Sequence, residues 1–450
     1  MLRALNQTEM PLRAFSPAKI SAVTDKMSRL DVVIFGATGF TGKRTVIHMV
    51  NFAKKYQIGS WGIAGRSENK LNDVIKEASQ KTAADLSAVK IITADVGDEK
   101  SLKDMCVQAK VLVNCCGPYR MYGEPVVKAA IDSKTHYVDV SGEPQFMELM
   151  QLRYDEAARE AGVFVISACG WDSIPNDMGV VFLQQNFAGT LNSVRSYLRT
   201  YVPPEVMAKA EGRGLVNYGT WESLVYSVHH SNELRPLRKQ LYPEALPHFK
   251  PKLTRALVHK KDGEDYYLPF LGADESVIYR SQRYMYQWEQ KRPVQFKAYF
   301  NSGNFFQTGL AIIAAMVFFV MAKITFTKNL LLKYPKFFSM GYVTKDGPTD
   351  IVMENSFFSF DLIGEGWDVG TEAEGKPNKK VVAKVRGTNP GYGATCVALL
   401  SAAVTLLTER EKMPLPGGIL TTAAAFKNTD IIKKLNENDL TYKITETTKI

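Results

Sequence analysis

The sequence predicts an α/β fold in two parts, a doubly wound parallel sheet followed by a second α/β part built on a mixed sheet. Three observations carry this expectation. From Asp31 to about Ser167, short apolar runs alternate with longer amphipathic ones, the pattern of parallel strands joined by crossover helices. At the end of the first apolar run stands GATGFTG, residues 36–42, leading directly into an amphipathic stretch. After Gly170 the alternation stops, and residues 171–340 mix aromatic-rich, strand-like runs with proline-broken loops such as Val202-Pro203-Pro204 and Leu246-Pro247.

Taken in order, strands are expected at 32–36, 60–64, 89–93, 111–114, 136–140 and 163–167, with helices near 41–53, 68–80, 99–109, 123–133 and 145–161. Six strands with five crossovers is the size of a full dinucleotide-binding fold. Residues 350–385 read as further strands, with hairpin-like breaks at Gly364 and Gly375. A helix of small residues follows from about Tyr392 to Glu409, then a closing segment at 414–426. The expected organisation is a lead-in over 1–30, a first domain over 31–170, a second over 171–390 and a helical tail over 391–450.

At 450 residues the chain has room for two or three domains, and 45% apolar with 23% charged residues is an ordinary globular balance. Five scattered cysteines without a CxxC pair, and six histidines without HExxH, support neither a disulfide framework nor a metal site. The net charge of +10 comes from basic residues that form no single block, so nucleic acid is not the expected partner. The N-terminus has no apolar h-region and reads as a lead-in rather than a secretory signal, with a weak mitochondrial presequence as the alternative.

In GATGFTG the glycines Gly36, Gly39 and Gly42 recur every three residues between a predicted strand and a predicted helix. One glycine permits the tight turn, another the approach of backbone to a pyrophosphate, and the last close packing of helix on strand. Thr38, Phe40 and Thr41 lie in the same loop, where helix N-terminal amides face the phosphates. This is the context of a Rossmann dinucleotide site. At the end of the second strand, where NAD-specific domains hold the ribose with a carboxylate, stand Ala64-Gly65-Arg66-Ser67. A guanidinium with a hydroxyl beside it suits a 2′-phosphate, so the expected cofactor is NADP(H). Asp95, ending the third strand, either accepts from the adenine amino group or caps the next helix. The fourth strand ends in Asn114-Cys115-Cys116-Gly117-Pro118-Tyr119, which places Cys115, Gly117, Pro118 and Tyr119 beside the nicotinamide ribose, with the two cysteines read as packing residues rather than catalytic thiols.

Candidates for chemistry are few. Asp172 and Ser173, in CGWDSIPND at 169–177, either position a substrate and relay a proton or cap the helix that follows, with Pro175 in its first turn. Tyr119 is the other candidate proton donor, and His136 reads as a packed core histidine.

From Ala298 through Ala322 no residue is charged, and GLAIIAAMVFFVMA at 309–322 is too short for a confident membrane span. Beyond it, Lys323, Lys328, Lys333 and Lys336 interleave with Leu330, Leu331, Leu332, Tyr334, Phe337 and Phe338. The segment 305–340 therefore reads either as core or dimer-interface helices, or as an apolar face entering a lipid surface with lysines at anionic headgroups.

Several long motifs stand in order along nearly the whole chain: GATGFTG, AGR at 64–66, NCCGPY at 114–119, YVDVSGE at 137–143, CGWDSIPND, PGYGAT at 390–395 and PGGILTTAAAF at 416–426. By these the chain resembles the saccharopine dehydrogenase family, in particular its animal oxidoreductase-like branch. The resemblance implies a split Rossmann domain, a middle substrate and dimerisation domain, C-terminal helices returning to the nucleotide domain, and a homodimer. It further implies association with lipid droplets or other intracellular membranes and with mitochondria. A bacterial relative resembles a trans-acting enoyl reductase of lipid assembly, so glycolipid and other lipid metabolism stays in play. The expected activity is NADP(H)-dependent hydride transfer to a carbonyl, imine or enoyl group. The alternative is a non-catalytic nucleotide-binding scaffold or redox sensor on lipid droplets.

Overall fold

A computed structural model describes residues 29–450, except Asp172, His248, Asp262 and Glu264. The expected lead-in thus lies outside the described residues but for Arg29 and Leu30. The first part comprises β1 (Leu30–Phe35), α1 (Phe40–Lys55), β2 (Trp61–Gly65), α2 (Glu68–Thr82), β3 (Lys90–Thr93), α3 (Glu99–Cys106), β4 (Ala109–Asn114), α4 (Tyr119–Asp132), β5 (His136–Asp139), α5 (Pro144–Ala161) and β6 (Phe164–Ile166). Next come α6 (Ile174–Asn186), β7 (Gly189–Tyr201), α7 (Pro204–Met207), β8 (Val216–Asn217), α8 (Tyr218–His229), α9 (Leu234–Leu241), β9 (His259–Lys261), β10 (Asp265–Pro269), α10 (Asp274–Glu289) and β11 (Gln295–Gly303). Three helices follow, α11 (Phe305–Lys323), α12 (Thr325–Lys333) and α13 (Pro335–Phe338), then β12 (Val343–Thr344), α14 (Asp350–Glu354), β13 (Phe357–Asp368) and β14 (Lys379–Thr388). The chain closes with α15 (Thr395–Thr408), β15 (Gly418–Leu420), α16 (Thr422–Phe426), α17 (Ile431–Asn436) and β16 (Thr441–Lys449).

The first sheet runs β15-β6-β5-β4-β1-β2-β3, and every pairing in it is parallel. Its strands read as unbroken apolar runs because both faces are covered. Val46 and Met49 of α1, Leu71 and Val74 of α2, and α15 pack on one face, while Leu102 of α3, Val126 of α4 and Phe146 of α5 pack on the other. The strand order reverses between β1 and β4, which opens a crevice at their carboxyl ends. Arg29 ties the opposite end. Its guanidinium donates to the carbonyls of Cys106 and Val107 at the close of α3 and of Ser133 and Lys134 beyond α4, each at 3.1 Å. Helix carbonyls left without intrahelical donors are thereby satisfied by a cation.

The second sheet is mixed, in the order β16-β14-β13-β7-β11-β10-β9, with β11 parallel and β13 antiparallel to β7. Phe358, Phe360 and Leu362 of β13 alternate inward onto α6. Gly179 of α6 comes so close that an added Cβ would lie 2.6 Å from the Leu362 side chain.

Three expectations are corrected. Gly364 is no break but the middle of β13, where an added Cβ would lie 2.9 Å from Leu191. The hairpin turn is built around Gly370 and Gly375, both at positive φ. Residues 350–354 form a helix rather than a strand, because Thr349 accepts from the Val352 amide as an N-cap. The tail 391–450 does more than lay helices on the first sheet: β15 extends that sheet beside β6, and β16 extends the second beside β14.

Where α6, α10 and α16 meet, the buried Asp177 carboxylate accepts from the Ser281 hydroxyl (2.9 Å), the Thr422 hydroxyl (2.7 Å) and the Ala423 amide (2.7 Å). Asp177→Ala would strand the buried Ala423 amide and Thr422 hydroxyl, while Ser281 keeps the Val277 carbonyl, and is expected to lower the unfolding free energy by roughly 2–4 kcal/mol in urea titrations.

Candidate functional site

The glycine loop joins β1 to α1. Gly36 has φ +76°, and a Cβ there would lie 3.0 Å from the Cys115–Cys116 backbone. At Gly42 a Cβ would lie 2.1 Å from the Gly36 carbonyl oxygen, and at Gly39 3.2 Å from it. Each glycine thus lets backbone approach backbone where no side chain fits. Gly39 stands at the N-cap of α1, which has no side-chain cap and no acidic residue in its first turn. The amides of Phe40, Thr41 and Gly42 have no intrahelical acceptor and present the positive end of the helix dipole, with Thr38 half-buried beside them. That is a fit for a pyrophosphate. The Phe40 ring itself is turned away, packed edge-on against Tyr392 at 4.5 Å with the Arg44 guanidinium 3.7 Å above it.

Around this loop the carboxyl edge brings the other predicted residues together. Arg66 follows β2 directly and is exposed, and Ser67 N-caps α2 by accepting from the Lys70 amide at 3.4 Å. Burial pushes the Cys116 thiol up, Arg66 draws it down and Asp95 pushes it up again, so guanidinium and carboxylate both face this turn. Asp95 does not cap α3, for Asp98 does so, accepting from the Lys100 amide at 3.0 Å. Asp95 instead accepts from the Gly97 amide at 2.9 Å in its own turn. Cys115 is a packing residue whose burial pushes its thiol well above the ordinary value.

Tyr119 lines the cavity with its ring, but its hydroxyl is spent on backbone, donating to the Asn114 carbonyl at 2.9 Å and accepting from the Val140 amide at 3.3 Å. Its role as a proton donor is withdrawn on that geometry. Ser173 takes the N-cap position of α6, yet its hydroxyl is buried and bonds to no described residue, neither capping nor facing the cavity. Asp172 lies outside the described residues. Gly170 and Trp171 are the members of that segment on the cavity wall. His136 is a core residue, as expected, its Nδ1 accepting from the Phe164 amide at 3.1 Å and burial holding its pKa down at about 4.

Two carboxylates that the sequence left as mere strand ends organise the edge. Glu143 accepts from the amides of Tyr119 (3.0 Å) and Arg120 (2.9 Å) and from the Ser223 hydroxyl (2.8 Å), so a residue beyond β5 starts α4 at Tyr119 rather than at 123. Asp139 accepts from Tyr137 (2.8 Å), Ser167 (2.9 Å) and the amides of Ser141 (2.9 Å) and Ala168 (3.1 Å). Tyr137 in turn accepts from the Asn114 side chain at 3.0 Å, which links the ends of β4, β5 and β6.

Gly39, Phe40, Thr41, Cys115, Gly117, Pro118 and Tyr119 line a cavity of about 2360 Å³, which continues between the two sheets toward α8, α9 and α11. Gly36, Thr38, Arg66, Ser67 and Asp95, which belong to the turns around it, and Gly42, in the first turn of α1, are not part of its wall.

The family described as Saccharopine dehydrogenase NADP binding domain matches residues 32–166. A human protein, the saccharopine dehydrogenase-like oxidoreductase, is 37% identical over 427 residues, covering 93% of this chain and 98% of its own. The chain belongs to the saccharopine dehydrogenase-like oxidoreductase family. Another relative, named Lipid droplet localized protein, from Caenorhabditis elegans, is 39% identical over 428 residues, covering 93% of this chain and 99% of its own. Among solved structures, apo saccharopine dehydrogenase (L-Glu forming) from Saccharomyces cerevisiae superposes with a TM-score of 0.51 at 15% identity. It covers 92% of this chain and 99% of that one, a likeness of fold. The family's cofactor is NADP(H), its class is that of NADP-dependent oxidoreductases, and the uncapped α1 turn with Arg66 in place of a carboxylate fits that cofactor.

Two outcomes follow. Gly42→Ala is expected to lower the melting temperature, because no movement of the new methyl alone relieves a 2.1 Å approach to backbone. For Asp139, burial raises the pKa from 3.8 to about 6, against the four donated hydrogen bonds. The folded state then holds this proton more tightly than the unfolded chain, so the group's contribution is fully present below the unfolded value and lost as pH rises through the folded one. Urea midpoints measured from about pH 4 to about pH 7 should fall for the wild type relative to Asp139→Asn.

Proposed function

We propose that the protein works at a lipid surface, transferring hydride from NADPH to a carbonyl, imine or enoyl group of a lipid-borne substrate. The observation that carries this reading is the state of α11. It is 19 residues long and apolar from Gly309 to Ala322, yet only 11% of its apolar window is buried. Phe306, Phe326 and Phe337 of α11–α13 are 82%, 73% and 78% exposed, and Leu310, Ile313, Val317 and Val320 join them in one apolar surface. A patch of this extent on a soluble chain marks an interaction site. Lys333 and Lys336 are exposed among the aromatics, the arrangement that lets rings enter an interface while ammonium groups meet anionic headgroups. Because the other face of α11 packs on α8, β10 and β11, the helix suits lying in the interface rather than crossing it. The lipid-droplet name of the nematode relative agrees with this.

In the same reading the glycine-loop amides hold the pyrophosphate, Arg66 and Ser67 hold the 2′-phosphate, and the turn 115–119 flanks the nicotinamide. NADPH supplies the hydride, and the chain supplies position. A charge-assisted bond to a phosphate contributes about 1.5–3 kcal/mol. Arg66→Ala should therefore weaken NADPH binding roughly ten- to a hundredfold, with little change for NADH, in fluorescence titrations. Failure of the wild type to prefer NADPH would overturn the cofactor assignment. The double substitution Phe306→Asp with Val317→Asp should abolish cosedimentation with phosphatidylcholine/phosphatidylserine vesicles while leaving NADPH binding intact. Undiminished cosedimentation would overturn the lipid assignment.

A further inference from the structure

The cavity that begins at the glycine loop reaches α11. Ala311, Ile312, Ala315, Met316 and Phe319 of α11 are on its wall, together with Leu224 and Val228 of α8. At 100° per residue these α11 positions fall on one side of the helix, and the exposed Phe306, Leu310, Ile313, Val317 and Val320 fall on the other. One helix therefore carries both the exposed apolar face and a wall of the cavity shared with the cofactor turns. Its far end is fixed to α8, with His229 Nδ1 2.7 Å from the Ala322 carbonyl, Lys323 donating to Ser231 at 2.6 Å, and Phe318 packed on Trp221 at 5.1 Å. Met316 and Phe319, although they line the cavity, remain 57% and 48% exposed, so the cavity opens beside the helix and not only at the cofactor end.

Size and lining narrow the occupant. About 2360 Å³ is more than twice the upper end of an ordinary small-molecule pocket, roughly 300–1,000 Å³. Leu198, Leu268, Phe270, Phe296 and Phe300 are on the same wall as the α11 residues, and so are charged residues such as Arg238, Lys239 and Glu275. A large cavity whose wall is mainly apolar, with charged groups in places, and which reaches an outward-facing apolar helix fits a flexible hydrocarbon chain with a polar end better than a compact polar metabolite. Resting on the lipid-surface reading above, we infer that the cavity is an acyl-chain channel. It admits a long-chain lipid sideways past α11 and holds its chain against the inner face of that helix while the polar end reaches the cofactor turns. The substrate class is a long-chain acyl amphiphile.

The test uses the full chain in solution without vesicles and the fluorescent polyene cis-parinaric acid as probe. Saturable binding is expected, with saturated acids competing more strongly by up to about fourfold per added methylene until the channel is filled. Ala315→Trp and Ala311→Trp, which fill the passage from the cavity side, should each weaken parinarate binding by about tenfold or more, what losing two buried methylenes would cost. NADPH titration and vesicle cosedimentation, run on the same preparations, should be unchanged and so report an intact fold. Ile313→Asp, on the outer face, should weaken cosedimentation and leave parinarate binding as it was. Parinarate affinity unaltered in both tryptophan variants, or lost in Ile313→Asp alone, would overturn the channel. Loss of wild-type cosedimentation with parinarate binding retained would overturn the lipid-surface reading and not the channel.

Discussion

The arrangement depends on α6, which packs on β13 and β14 of the second sheet and on α10 and α16, and which is held by buried polar contacts at its first turn. Asp177 ties it to α10 and α16, while Asn176 donates to Asp274 of α10 at 2.7 Å and accepts from Ser196 of β7 at 2.6 Å. Such contacts are directional, and each buried donor left unmatched costs more than a lost apolar contact, so they set the angle between the parts rather than merely adding cohesion. Tyr442 of β16 adds a bond from its hydroxyl to the Ile174 carbonyl at 3.2 Å, which brings the end of the chain to the same helix. Gly170 and Trp171, immediately before α6, reach the cavity wall as a consequence.

The cofactor edge is organised by a similar economy of buried carboxylates. Asp139 and Glu143 accept, at 2.9–3.1 Å, from amides that would otherwise end strands and begin a helix unpaired. Their hydrogen bonds hold the turn at 115–119, and the Tyr119 hydroxyl is bonded to backbone in the same way. What the edge leaves available are backbone amides at α1 and the exposed Arg66, the groups a pyrophosphate and a 2′-phosphate would use. An edge of that kind binds and orients. It accords with a reaction whose reacting electrons come from the cofactor.

The α11–α13 surface presents aromatic and aliphatic side chains that no described element covers. Only Thr308 and Ala322 of α11 are buried, because the helix touches α8 at one end and the β10–β11 edge at the other and bridges open space between them. A bridging helix with two unlike apolar faces lies between the outer surface and the interior space, so one element borders both.

The sequence alone determined the first six strands, their five helices and the glycine loop. These follow from local rules: unbroken apolar runs for strands covered on both faces, 3.6-residue periodicity for the helices, and glycines where backbones touch. Arg66 at the end of β2 was legible for the same reason, since position after a strand implies position at the sheet edge. The return of β15 and β16, the capping of α4 by Glu143 and the hub at Asp177 were not, because partners hundreds or tens of residues apart leave no mark on neighbouring sequence. The two apolar helices show the limit most directly. The segments Phe305–Lys323 and Pro390–Thr408 have the same length and similar composition, yet the second is 83% buried against the first sheet and the first only 11%. Composition made both helices apolar, and tertiary structure decided that one is buried inside the protein while the other presents its face outward, since burial depends on what else the chain brings alongside.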